Sequence, residues 1–264
     1  MGKLEQTITL VTGGGRGIGR AIALRYARDG ATVVVADIDE GNAQAVVKEA
    51  RALGATAEPL QVDVAQPAQS VTMIERTVQR YGRLDVLVNN AGVVRVRPLL
   101  EITPDDWDFV NDINAKGLFF AMQAGARQML QQSSAAGRPR GKIVNIASIA
   151  GRSGRPMFAP YAASKAAAIS ITQSGAAALA PHVTVNAICP GVVDTEMWRV
   201  IDREWTQSDG RASGAAWQDR IRGIPMGRPE TAEDLVGMAA FLASADSDYI
   251  TGQSYHVDGG LVMN

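Results

Sequence analysis

The chain has 264 residues, with 26 Lys+Arg against 27 Asp+Glu for a formal net charge of −1. A charge this close to zero removes the electrostatic case for nucleic acid or an anionic membrane surface as partner. The single cysteine, Cys189, cannot close an internal disulfide and points to a reducing, cytoplasmic setting.

No apolar run approaches the roughly 18 residues of a membrane span. No signal peptide is expected, because Thr7–Val11 already reads as a strand feeding a glycine-rich loop. Apolar, β-rich runs recur at 7–12, 32–36, 58–64, 84–89, 142–147, 183–188 and 253–257. Between them, helical spacing predicts helices over 17–29, 40–53, 67–81, 104–131 (as two helices), 161–180 and 231–243. Strands alternating with helices imply right-handed βαβ units and a parallel sheet covered on both faces. Runs such as Val33-Val34-Val35-Ala36 are continuously apolar, as strands buried on both faces are. No linker or repeat divides the chain, so residues 1–264 read as one α/β domain.

Segment 194–229 breaks the rhythm. It carries three of the four tryptophans, Trp198, Trp205 and Trp217, among charged and small residues with no strand pattern. It directly follows a strand end, where open α/β sheets bind ligands, and is expected to be a substrate-binding lid inserted in the domain; the alternative is a surface helical excursion with its aromatics packed down.

The first strand runs into Thr12-Gly13-Gly14-Gly15-Arg16-Gly17-Ile18-Gly19 and then a helix. Backbone amides at such a helix start hold a pyrophosphate, and glycine lets the phosphates approach. The spacing is G-x-x-x-G-x-G from Gly13, Gly17 and Gly19, and Arg16 and Ile18 lie inside the same cradle. Asp37 ends the next strand, 18 residues beyond Gly19, where a carboxylate accepts both adenosine-ribose hydroxyls. It also repels a 2′-phosphate, which favours NAD over NADP. Arg16 pulls weakly the other way. The alternative for Asp37 is a turn carboxylate capping the following helix.

Tyr161 and Lys165 lie four residues apart and share one helix face. A phenol titrates near 10, so use as a base near neutrality needs a fall of roughly 2–3 units. A neighbouring ammonium and an oxidised, positively charged nicotinamide favour that fall. Ser148, thirteen residues before Tyr161, ends the strand Ile143–Ala147 and is expected to meet the tyrosine at the strand's carboxyl end.

Together, Thr12–Gly19, Asn89-Asn90-Ala91-Gly92, Ser148, Tyr161-Ala162-Ala163-Ser164-Lys165, Pro190-Gly191 and Asp258-Gly259-Gly260 resemble the short-chain dehydrogenase/reductase family over essentially the whole chain. The resemblance implies a single-domain Rossmann fold with a seven-stranded parallel sheet. It implies that Tyr161 moves the substrate hydroxyl proton, that Ser148 hydrogen-bonds the substrate oxygen, and that Lys165 binds the nicotinamide ribose and lowers the tyrosine pKa. Asn114 is similar to the family asparagine whose backbone holds a relay water; its alternative is a polar break in a helix. Asp63-Val64, ending the third strand, resembles the pair flanking adenine, and Asn90-Ala91-Gly92 the turn along the adenosine. Pro190-Gly191-Val192-Val193-Asp194-Thr195 resembles the stretch that orients the carboxamide, through the Val193 backbone and Thr195. The family also implies a homotetramer.

Neither His182, expected to be exposed, nor His256 has partners that suggest a metal, and none is expected. Cys189 reads as a buried small hydrophobe. In the last third, Trp198, Ile201-Asp202, Ala232-Glu233-Asp234-Leu235 and Asp248-Tyr249-Ile250 resemble NAD-linked sorbitol and related polyol dehydrogenases. Met197-Trp198, Ile201-Asp202-Arg203 and Thr251-Gly252-Gln253-Ser254 are shared with acetoin/diacetyl reductases, or butanediol dehydrogenases. A polyol or small hydroxyketone substrate follows. A 3-oxoacyl-(acyl-carrier-protein) reductase and a non-catalytic nucleotide-binding regulator are the other readings.

Overall fold

Why the strands form where they do is visible in their burial: Leu10, Val33, Val35, Leu87, Val88, Ile143 and Val185 expose at most 1% of their surface. Such β-branched and aliphatic runs gain from burial on both faces, as a parallel sheet provides. The computed structural model describes residues 2–263. Its strands are β1 (Ile8–Thr12), β2 (Thr32–Asp37), β3 (Ala57–Gln61), β4 (Val86–Asn89), β5 (Gly141–Ile146), β6 (Val183–Pro190) and β7 (Ser254–Val257). They form one sheet in the order β3-β2-β1-β4-β5-β6-β7, every pair parallel. The seven-stranded Rossmann expectation is met.

The helices are α1 (Gly17–Arg28), α2 (Glu40–Ala52), α3 (Pro67–Tyr81), α4 (Pro104–Asn111), α5 (Leu118–Gln131), α6 (Ala159–Leu179), α7 (Glu196–Asp209), α8 (Ala215–Arg222) and α9 (Ala232–Ala243). One face of the sheet is covered by α1, α2 and α9, through Ile22, Val46, Leu235 and Leu242. The other is covered by α3, α5 and α6, through Met73, Ile74, Met129 and Ala176. Tyr26 lies wholly inside the first layer and donates to Ala239 O at 2.9 Å, tying α1 to α9.

Two boundaries differ from the sequence reading. The third strand stops at Gln61 rather than 64, so Asp63 and Val64 stand in the turn beyond it. There Asp63 Oδ1 accepts from Ala65 N at 3.0 Å, a local turn that competes with sheet pairing. The two helices within 104–131 are joined by a wider π-type turn, Asp112–Gly117. Segment 194–229, read as a lid with a surface helical excursion as the alternative, contains the helices α7 and α8. The strand order reverses between β1 and β4, and crevices at such a point, at the carboxyl ends of the strands, take ligands.

Candidate active site

The glycine loop leaves β1 with Gly13 at φ 59° and Gly17 at φ 54°, left-handed conformations that glycine adopts without strain. A Cβ on Gly19 would sit 2.2 Å from Gly13 O and 2.4 Å from Asn90 Nδ2, so the loop folds back on the helix it starts. Asn90 Nδ2 donates to Thr12 O (3.0 Å) and Gly13 O (2.9 Å). Thr12 Oγ1 donates to Val88 O (3.3 Å) and accepts from the Asn90 and Ala91 amides (3.1 and 3.2 Å). Asn90 and Ala91 therefore brace the loop across the β1/β4 split. The sequence reading missed the bracing role of Thr12, although Thr12 opens the motif.

The start of α1 fits a phosphate. No side chain caps it and no acidic residue lies in its first turn. By contrast α2 is capped by Asp39, and α4 and α9 carry complete capping boxes. First-turn amides left without a side-chain acceptor, under a positive dipole end, are an anion site. Arg16 is exposed beside it, and Ile18 packs partly into the core below. Asp37 is 8% exposed and accepts from Gly15 N (2.8 Å, Oδ2) and Asp39 N (3.0 Å, Oδ1). Capping of α2 belongs to Asp39, which accepts from Asn42 N, and not to Asp37. Each Asp37 oxygen keeps a lone pair for a further donor.

Across the crevice stands the stretch after β6. A Cβ on Gly17 would lie 3.7 Å from Thr195 Cγ2, so the glycine loop and the 190–195 segment face each other. Val193 is buried, and Thr195 precedes α7 without a side-chain capping bond, its Oγ1 donating back to Val193 O at 3.4 Å. Asp63 is half-buried in the turn after β3, and Val64 lies against Gly117, where a Cβ would meet Val64 O at 2.8 Å.

Tyr161 and Lys165 occupy the first two turns of α6. Lys165, 4% exposed, donates to Ile146 O at 2.7 Å, and its Nζ stands 5.7 Å from the Tyr161 ring centroid. Gly92 lies against the same groups: a Cβ there would be in ordinary contact with Lys165 Nζ (3.6 Å) and tight against Asn114 Oδ1 (3.3 Å). Ser148 follows β5 by one intervening residue, Ala147; its Oγ accepts from Ala150 N at 3.0 Å, and its hydroxyl lies near enough to the Tyr161 phenol to oppose the rise of its pKa. Asn114 sits in the π-type turn, almost fully buried. It brackets Val93 through both main-chain groups (2.8 and 2.9 Å) and donates to Ser164 Oγ (3.0 Å), which in turn donates to Tyr161 O (2.8 Å). The four expected residues thus form one connected cluster.

The electrostatics differ from the expectation in one respect. Burial pushes the Tyr161 phenol up from 10.0, with the Ser148 hydrogen bond opposing and the Cys189 thiol adding to the rise. Lys165 does not offset this, because burial lowers its own pKa to about 8. Desolvation is the first cause for both groups.

Over this cluster α7 and α8 form an aromatic wall that sequence reading placed but did not resolve. Phe158 stacks edge-on against Tyr161 (6.1 Å) and Trp205 (5.8 Å), and Trp198 against Trp217 (5.5 Å). Buried Asp202 pins the two helices by accepting from Gly214 N (2.6 Å) and Trp217 N (2.9 Å). The Arg220 guanidinium stands 5.2 Å from the Trp205 ring centroid. His182 is exposed, His256 Nδ1 lies 3.2 Å from Val262 O, and Cys189 is fully buried. Among the described residues no group of three His, Cys, Asp or Glu could hold a metal ion, and no helix is long and apolar enough to cross a membrane.

Comparison with known proteins gives concordant findings. A family described as Enoyl-(Acyl carrier protein) reductase matches residues 13–262. A galactitol 2-dehydrogenase of Agrobacterium fabrum is 42% identical over 263 residues, covering 99% of this chain and 100% of the relative. A sorbitol dehydrogenase of Cereibacter sphaeroides is also 42% identical, with the same coverage. The crystal structure of an NAD+-bound xylitol dehydrogenase superposes with a TM-score of 0.92 at 32% identity, over 98% of this chain and 100% of that one.

Proposed function

The chain belongs to the short-chain dehydrogenase/reductase family, and from that premise we propose that it moves a hydride between NAD(H) and a polyol or small vicinal diol. One observation carries the reading: Ser148, Tyr161 and Lys165 meet at the carboxyl end of β5, facing the crevice of the glycine loop. Hydride transfer itself is supplied by the nicotinamide when bound.

The chain's own residues do the remaining work. Gly13, Gly17, Gly19 and the first amides of α1 cradle the pyrophosphate, with Arg16 at its rim and Ile18 behind it. Asp37 takes the adenosine-ribose hydroxyls, and Asp63, Val64, Asn90, Ala91 and Gly92 line the adenine side. Lys165 Nζ holds the nicotinamide ribose. Pro190, Gly191, Val193 and Thr195 hold the carboxamide, which fixes the ring face presented to substrate. Tyr161 Oη takes the hydroxyl proton during oxidation and returns it during reduction, while Ser148 Oγ hydrogen-bonds the same oxygen. The backbone of Asn114 stations the relay water.

NAD is favoured over NADP because Asp37 is buried, already accepts two amides, and would face a 2′-phosphate at close range. Initial NADH formation with sorbitol, galactitol, xylitol, mannitol, arabinitol and meso-2,3-butanediol, each with NAD and with NADP, tests both points. Turnover of a hexitol or pentitol with NAD is expected. Turnover of butanediol alone would move the chain to the acetoin/diacetyl reductases, and silence with every alcohol would end the polyol reading. In the same assay Asp37→Ala should narrow the NAD/NADP gap; an unchanged gap would remove Asp37 as its cause.

We read residues 194–229 as a lid, since Trp205 reaches Tyr161 through Phe158. Limited proteolysis within it should slow when NAD and substrate are both present, and equal cleavage with and without them would count against a lid. Assembly as a homotetramer is supported by an apolar groove of about 360 Å³ between α5 and α6, walled by Phe119, Met122, Leu130, Ile171 and Leu179. Phe119 is 38% exposed there, and light scattering reports the mass directly. A cytoplasmic setting rests on the lone, buried thiol of Cys189.

A further inference from the structure

Glu230 lies in the turn leading to α9 and is 7% exposed. Its backbone pairs with the 190–195 segment on both sides, Glu230 N donating to Val192 O (2.9 Å) and Asp194 N donating to Glu230 O (2.8 Å). Its side chain then turns back on the same segment, Oε2 accepting from Gly191 N at 2.8 Å. Oε1 is buried with no partner. The charged groups that face it are Asp234 from the first turn of α9, Asp258 beyond β7, and Arg228. Arg228 is engaged with Asp234 at 2.7 Å. Asp258 is itself committed to Gly260 N and Val262 N, at 2.9 Å each.

A buried carboxylate needs partners for both oxygens or a neutralising cation. Here one oxygen has neither, and two of the three charged neighbours are carboxylates. The neutral acid costs this pocket least, because ionisation adds a third negative charge beside Asp234 and Asp258, although the Gly191 amide favours the ionised form. We propose that Glu230 is a positioning residue for the 190–195 segment, which it holds in the cofactor-binding conformation while its carboxyl is neutral and loosens on ionisation. The inference rests on the reading that this segment takes the nicotinamide carboxamide. Burial supports it by raising the Glu230 carboxyl from 4.5 to about 8, the Gly191 amide opposing and Asp234 and Asp258 adding to the rise. The folded chain therefore holds this proton more tightly than the unfolded one. Stability from this group is complete below 4.5, declines as pH climbs towards about 8, and is level above that.

Lys165 titrates in the same range, so the pH dependence of the natural chain alone does not isolate Glu230. Comparison with Glu230→Gln does, because the amide keeps the shape of the neutral acid at every pH. NADH fluorescence titration of the full chain at pH 6.5 and 9.5 needs no substrate. The ratio of the natural chain's Kd to that of E230Q is expected near one at pH 6.5 and about fivefold at pH 9.5, the low end of couplings between linked sites. The Tm of the natural chain should also fall relative to E230Q between pH 5 and 8. A ratio that is the same at both pH values would overturn the role of Glu230. Glu230→Ala is the second variant should Gln not be tolerated, and it too should lack the pH-dependent component. If the natural chain binds no NADH at either pH, the cofactor reading falls and this proposal with it.

Discussion

Tyr161→Phe is expected to lower turnover by about 10²–10⁴-fold in both directions, the usual contribution of a positioned acid–base group, while NADH binding is kept. The variant removes one hydroxyl and leaves the ring that packs against Phe158. The pH profile gives the argument its direction. Burial holds the phenol above its ordinary 10.0 in the chain by itself. Oxidation requires the ionised phenol, so its rate should climb through the alkaline range, whereas reduction requires the protonated one and should stay level up to about 10. Steady-state rates from pH 6 to 10 in each direction would read this, and the phenylalanine variant should lose the slope along with the rate. A loss smaller than about tenfold would dismiss Tyr161 as the proton carrier.

Lys165→Met is expected to separate activity from stability. The lysine is 4% exposed, donates to Ile146 O at 2.7 Å, and has its pKa lowered to about 8. Between about 8 and 10.5 the unfolded chain holds the proton that the folded chain has released. The burial cost is therefore fully present below about 8 and fades as pH approaches 10.5. A displacement from 10.5 to about 8 corresponds to about 3 kcal/mol. Losing the bond to Ile146 O returns about 1 kcal/mol of that. A methionine of similar length should thus stabilise the fold by about 2 kcal/mol at pH 7, several degrees in Tm. The gain should shrink at pH 10. Turnover should nevertheless fall by about 10²-fold or more, because the ammonium that stands 5.7 Å from the Tyr161 ring, and would order the ribose, is lost. Thermal melts at pH 7 and 10, with rates at pH 8, check both halves. A lower Tm at pH 7 would show that the buried ammonium is no burden. Active sites commonly hold such a compromise between stability and function.

Local signals carried the site because the chemistry is written in short segments. Gly13, Gly17 and Gly19 declare a turn that no other residue enters, and their spacing survives into φ values of 59° and 54° at the first two. Tyr161 and Lys165 announce a shared face by their separation alone, and α6 delivers it. What lay outside reach was set by distant partners. Asp63 and Val64 fell beyond the strand because Asp63 closes a turn on Ala65, a choice between competing hydrogen bonds. In 194–229, Met197, Trp198, Ile201 and Trp205 follow helical spacing, which agrees with the helical excursion weighed as the alternative; the bounds of α7 and α8 were set by packing against the site. Glu230 shows no sequence signature at all.

The amino-acid sequence by itself determined the alternation of elements, the glycine cradle, and the identity of Ser148, Tyr161 and Lys165, since periodicity, turn chemistry and side-chain type are local properties. Tertiary structure alone decided how those groups are charged. The rise of Tyr161, the fall of Lys165 and the rise of Glu230 all have burial as their first cause. Desolvation depends on what surrounds an atom in three dimensions, and a linear pattern does not contain that information.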